Sequence, residues 1–111
     1  MESKKTSMGL DENIAGALTY LAGWVTGIVF LVMEKENRFV RFHAWQSIIT
    51  TGALTVIFLI LGAIPVIGWI LSIILAPLSF LLWLWLMYKA YQGEMYKLPW
   101  VGDFAEKQLG A

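Results

Sequence analysis

Apolar and polar positions along this 111-residue chain fall into blocks. All sixteen charged side chains lie outside residues 13–33 and 44–88, so stretches of 21 and 45 residues carry no charge. An apolar run of about 18 residues or more can cross a bilayer as a helix. The first stretch fits one span, 13–33. The second fits two, 44–61 and 69–88, with Pro65 and the glycines of residues 62–68 supplying a tight apolar turn. Pro77 falls inside the third span, where neighbouring helices can satisfy a kink. Around the spans lie a polar arm (1–12), a charged connection (34–43) and a polar tail (89–111). Asp11 and Glu12 suit the positive end of a helix that starts near Asn13. Val101, Phe104, Ala105, Gln108 and Leu109 share one helical face in the tail, which predicts a short helix resting at the membrane interface. The fold expected is an all-α membrane protein: a bundle of three transmembrane helices plus a short interfacial C-terminal helix.

The first span admits two geometries. Three full crossings place residues 34–43 and the tail, with six Lys and Arg, opposite an N-terminal arm with two. Basic residues favour the cytoplasmic side, so this topology puts 34–43 and the C-terminus in the cytoplasm and the N-terminus outside. Trp24 sits half-way along segment 1, however, and tryptophan prefers the interface. If that segment breaks and returns as a re-entrant hairpin, all eight basic residues share one side. The charge rule prefers this second form, but it leaves backbone at membrane depth that must be buried in protein. Three full spans are the expectation, with a broken first segment as the alternative.

Composition narrows the function. Hydrophobic residues make up 59% and charged residues 14%, far from a soluble domain. Zero net charge removes the basic footprint of a nucleic-acid binder. With no cysteine and a single histidine, neither disulfides nor a multi-histidine metal site is expected. Segment 1 is longer than a signal-peptide core and lacks a small-residue cleavage pattern, and neither end carries a lipidation motif. Phosphate loops, hydrolase elbows and paired catalytic carboxylates are missing, so no enzyme, cofactor or metal is expected.

Three constellations remain. Ala15, Thr19, Gly23 and Gly27 stand four residues apart, a small-residue face on which helices pack closely. Packing within the chain is the favoured reading, with a contact to a second copy or a partner as the sharper one. His43, Gln46, Ser47, Thr50, Thr51 and Thr55 form a polar stripe on span 2. Such a stripe commonly hydrogen-bonds between helices, and less commonly lines a conduit. No Asp, Glu, Lys or Arg lies within any span, which argues against an ion-coupled transporter. Arg38, Phe39, Arg41, Phe42 and His43 fall at headgroup level. Ordinary interfacial anchoring explains them, while a docking element for a protein partner or a lipid headgroup is the functional alternative. Glu34 and Arg38 pair at i, i+4 if the helix continues through them.

The run Glu34-Lys35-Glu36-Asn37-Arg38-Phe39-Val40-Arg41-Phe42-His43-Ala44, followed by Gln46-Ser47, carries a resemblance. With Gly93-Glu94-Met95-Tyr96-Lys97-Leu98-Pro99 and Gly102-Asp103-Phe104, it resembles a family of small prokaryotic membrane proteins of unknown function. That family is grouped distantly with the small multi-spanning subunit of the chloroplast inner-envelope protein-import translocon. The resemblance covers about residues 10–109 and implies a helical fold in the membrane, but no catalytic or ligand residues. The translocon subunit is held to have four spans, where this chain shows three. The function expected is a non-enzymatic accessory subunit, docking a partner through residues 34–43 and the tail. A self-assembling conduit lined by the stripe is the alternative. The partners expected are the lipid bilayer and either another protein or further copies of the chain.

Overall fold

The computed structural model describes residues 5–6 and 9–109; Lys4 and the rest of the polar arm's first residues lie outside these. Five helices follow in order: α1 (Glu12–Leu18), α2 (Trp24–Met33), α3 (Arg38–Gly62), α4 (Ile67–Tyr91) and α5 (Val101–Lys107). Two of them, α3 and α4, are long and apolar enough to cross a membrane. At 25 residues each, they are about 37 Å long.

Segment 1 is not one continuous helix. It descends as α1, turns through residues 19–23 and climbs back as α2. Both ends therefore sit together: the Asn37 amide, just past α2, donates to Glu12 at the start of α1 (3.1 Å). The tip lies deep beside α3, where the Trp24 indole donates to the Thr55 hydroxyl (3.2 Å). Higher up the return arm, Gly27 packs against Ala44, Ser47 and Ile48. Of the two geometries expected of segment 1, the structure has the broken one: a helical hairpin beside two helices long and apolar enough to span.

Local chemistry explains the break. Gly23 has φ +62° and ψ −133°, a conformation closed to residues with a Cβ, and it interrupts what would otherwise be one continuous apolar helix. The exposed carbonyls that follow are satisfied by protein, as membrane depth requires. Ser47 Oγ donates to the carbonyls of Thr19 (2.7 Å) and Gly23 (2.9 Å). The Trp83 indole on α4 donates to the Tyr20 carbonyl. Thr19 and Thr26 add bonds within the hairpin, to Gly16 O (2.6 Å) and Thr19 O (3.0 Å).

The charged connection is also shorter than the sequence suggests. Residues 34–37 form the link, and Arg38 already opens α3, so Glu34 and Arg38 do not share a helix. The Glu34 carboxylate instead accepts from the backbone N–H groups of Glu36 (3.1 Å) and Asn37 (2.9 Å). Asn37 then caps α3 by accepting from Val40 N–H (3.0 Å). At the opposite end, Val66 takes φ +67° in the turn before α4. Gly68 there lies so close to the Leu61 carbonyl that no side chain fits.

Every charged residue described belongs to the hairpin's open end, the 34–41 region, the last turn of α4 or the tail. These segments meet at one end of the molecule. The rest of α3 and α4, residues 42–88, carries none.

Candidate functional site

The charged end is a folded cap whose floor is a buried polar junction. Tyr20, His43, Gln46 and Ser47 are all fully buried there. Gln46 sits at its centre. Its amide nitrogen donates to the Tyr20 hydroxyl (2.9 Å) and to the Tyr96 carbonyl (2.8 Å), and its amide oxygen accepts from Leu98 N–H (2.9 Å). His43 Nε2 lies 2.8 Å from the Glu94 carbonyl, which can only accept, so this nitrogen carries the hydrogen. Nδ1 then accepts from the Tyr20 hydroxyl (2.7 Å). One chain of bonds thus joins the hairpin, α3 and the tail. Phe39, Phe42 and Tyr20 enclose the imidazole edge-on, with ring centroids 4.7, 5.1 and 5.5 Å away.

These bonds strap residues 94–98 across the top of α3 through their backbone. The strap continues into α5, which packs through Gly102 and Ala105, both buried. Gly102 approaches Lys97 so closely that a Cβ could not be accommodated. The face expected to rest on lipid is therefore divided: Ala105 packs inward while Phe104 is half exposed. Trp100, 86% exposed at φ +63°, projects from the turn before α5. Outside the membrane-spanning helices, Lys97 bridges the strap to α5 by hydrogen-bonding Glu106 (2.8 Å), with Asp103 3.9 Å away. That bond, with the Glu106 and Asp103 charges, holds the Lys97 ammonium above its ordinary range, and the same bond, with the Lys97 and Arg38 charges, holds Glu106 below its own.

The residues singled out from the sequence separate into distinct roles. Phe42 and His43 are fully buried, and Phe39 is nearly so, at the wall of the cleft that Arg38 borders. Arg41 turns inward and donates to the carbonyls of Leu31 (3.0 Å) and Glu34 (2.9 Å), placing a cation on the C-terminal end of α2 where the helix dipole favours it. Arg38 alone of the five is exposed, and its charge acts on Glu106 of α5 without a contact-distance ion pair among the described residues. It borders an open cleft of about 510 Å³ lined also by Lys5, Glu12, Glu34, Glu36 and Asn37.

In the stripe, Gln46 and Ser47 hold the tail and the hairpin tip. Thr51 and Thr55 hydroxyls donate back to the carbonyls of Ser47 and Thr51, both at 2.7 Å. Thr50 is buried with its hydroxyl unpartnered. The small-residue face is split by the break, with Ala15 on α1, Thr19 and Gly23 in the turn and Gly27 on α2. Ala15 packs with Phe39 and Val40, while Gly23 and Gly27 meet α3.

Sequence reasoning missed Tyr20, Asn37 and Trp83 as members of this assembly. Only Tyr20 had a local signal, a hydroxyl-bearing ring in the middle of an apolar segment. The partners of Asn37 and Trp83 lie 25 and 63 residues away in sequence.

Comparison with known proteins places this architecture. The model of the magnetosome magnetite crystal formation protein family matches residues 4–105. A UPF0132 membrane protein of Methanocaldococcus jannaschii is 57% identical over 103 residues, 93% of each chain. One from Archaeoglobus fulgidus is 52% identical over 101 residues, 91% of this chain and 98% of the relative. A second from M. jannaschii is 48% identical over 101 residues, covering 91% and 72%. None of these descriptions names an import translocon. No solved structure matches this chain.

Proposed function

The chain belongs to the magnetosome magnetite crystal formation protein family and is a membrane protein akin to the UPF0132 proteins; on that premise we propose that it is a non-enzymatic accessory protein. In this reading α3 and α4 are the anchor, and the cap is a rigid cytoplasmic platform on which a soluble protein docks. The observation that carries it is the sorting of charge. Every charged residue described sits at one end, where hydrogen bonds fix the backbone and Arg38 stays exposed beside an open cleft. The cytoplasmic assignment follows from that same gathering of basic residues. A partner carboxylate fits the exposed guanidinium of Arg38, which forms planar two-pronged pairs.

The family's description concerns magnetite crystal formation. Among the described residues no three His, Cys, Asp or Glu side chains gather in a group that could hold one metal ion, so the docking reading rests on the cap instead. A self-assembling conduit draws less support, because Gln46, Ser47, Thr51 and Thr55 already bond to protein groups. The distant grouping with a translocon subunit would fit either reading.

Photo-crosslinkers at Lys35 and Arg38 test the proposal in native membranes, with Ile73 on the lipid-facing side of α4 as control. A single foreign protein captured from the cap positions, and lost in Arg38→Glu while membrane insertion persists, is the expected result. Adducts of the cap with lipid alone, or with further copies alone, would overturn it.

A further inference from the structure

Two turns of the chain are strained, and they share a construction. Among the described residues only Val66 and Trp100 take a positive φ without being glycine, at +67° and +63°. Each follows a proline and stands just before the first residue of a helix. Each also centres a three-residue turn: Ile67 N–H donates to the Pro65 carbonyl (2.8 Å), and Val101 N–H to the Pro99 carbonyl (2.7 Å). With ψ at −70° and −47°, both are γ-turns of the rare, strained form. Both aim a large apolar side chain away from the protein, Val66 at 60% exposure and Trp100 at 86%. Strain of this kind persists where the surroundings fix it, so what the two turns have in common as a neighbour indicates its use.

Depth supplies that neighbour. Val66 joins the two helices that can span the bilayer, at the end away from the charged cap. The tail reaches the opposite surface by descending along α3. The Glu94 carbonyl meets His43, and Gln46 then takes both the Tyr96 carbonyl and Leu98 N–H. Trp100 follows two residues later, and α5 runs back until Glu106 comes within range of the Arg38 charge. From Arg41, the last charged residue of α3, to Gln46 is five residues, about 7 Å of helix and close to the thickness of one interfacial layer. We propose that the tail is a second attachment to the membrane: the Trp100 ring is seated among the glycerol and carbonyl groups of the cap-side leaflet, and its seating holds the strap of residues 94–98 in place.

The chemistry around the ring suits a bilayer surface. Charged Lys97 and Asp103 stand three residues to either side, whereas the buried core of a protein contact is depleted of charge. At a lipid interface the same arrangement is favourable, because the ammonium and carboxylate reach water while the indole and the half-exposed Phe104 turn to the hydrocarbon edge. An indole is apolar over its ring and offers one N–H to a lipid oxygen.

The full-length protein in phosphatidylcholine nanodiscs tests this attachment. Trp100→benzoylphenylalanine keeps a large ring and, on irradiation, is expected to give adducts of phosphatidylcholine mass at that position. A second reading separates membrane seating from a purely structural role. Trp100→Gly relieves the strained φ and removes the ring, whereas Trp100→Phe keeps a ring on the same backbone. Hydrogen exchange of residues 94–98 is expected to rise severalfold in Trp100→Gly and to stay near the parent in Trp100→Phe. Crosslinks to a second copy in place of lipid, or no adduct at all because the position faces water, would overturn the proposal. So would a strap as well protected in Trp100→Gly as in the parent.

Discussion

The two ends of the molecule solve opposite problems. Near the cap, four segments of backbone converge and each brings carbonyl and N–H groups that the bilayer cannot satisfy. The answer is a set of side chains, the buried Ser47, Gln46 and His43 and the half-buried Trp83, each aimed at a main-chain atom of another element. The far end has only two regular helices, whose backbone bonds are internal. Its side chains face lipid, and Leu59 is 71% exposed without penalty in hydrocarbon. The contrast teaches where specificity resides. Polar bonds between elements fix the near half, whereas the far half is held by helix geometry and a turn.

Substitutions can break that contrast, and the hairpin turn is the most sensitive place. Gly23→Val forces a side chain into a closed conformation and within about 3 Å of Thr51. Adding backbone strain to overpacking, a loss of about 4 kcal/mol is expected, read by reversible unfolding in mixed micelles. Gln46→Leu comes next, since it orphans Leu98 N–H, the Tyr96 carbonyl and a bond to Tyr20. It is expected to cost about 3 kcal/mol, and hydrogen exchange should show residues 94–98 opening before the rest. Ser47→Ala strips a donor from two carbonyls of the turn and should cost about 1–2 kcal/mol in the same unfolding measurement. At the far end, Leu59→Ala is expected to stay within about 0.5 kcal/mol of the parent. A loss there as large as for Ser47→Ala would erase the distinction between the halves.

The smallest effect is pH-dependent and lies at the cap's edge. Lys97 holds Glu106 below the ordinary carboxylate range, so this contribution is present above Glu106's unfolded-state range and lost as pH falls through its depressed folded value. Both groups are exposed, so only a slight loosening of α5 is expected on acidification. Comparing amide exchange of residues 101–107 in Glu106→Gln with the parent checks it: the variant should be less protected near neutrality and should not respond to acid.

Much of this was legible in the sequence, and the limits have physical causes. Charge-free length located α3 and α4, and the proline and glycines marked the turn between them. Trp24 in mid-segment and the eight-to-zero charge count both signalled a hairpin. Hydrophobic length nevertheless favoured a full crossing, because a re-entrant pair has the same composition as one span. What decides between them is whether the turn's carbonyls find donors. Those donors, Ser47 and Trp83, are distant in sequence. The same reason hid the site. Arg41, Phe42 and His43 look like an interfacial recognition motif, and partners outside it turn it inward, the Leu31 and Glu34 carbonyls for Arg41 and the Glu94 carbonyl for His43.

Because the chain has no cysteine, single cysteines at Lys5, Lys35 and Ile64 in sealed vesicles test the central claim most directly. With a membrane-impermeant maleimide, the hairpin predicts that positions 5 and 35 label from one side and position 64 from the other. Labelling of position 5 together with position 64, opposite to 35, would mean that the first segment crosses the bilayer and would contradict the account.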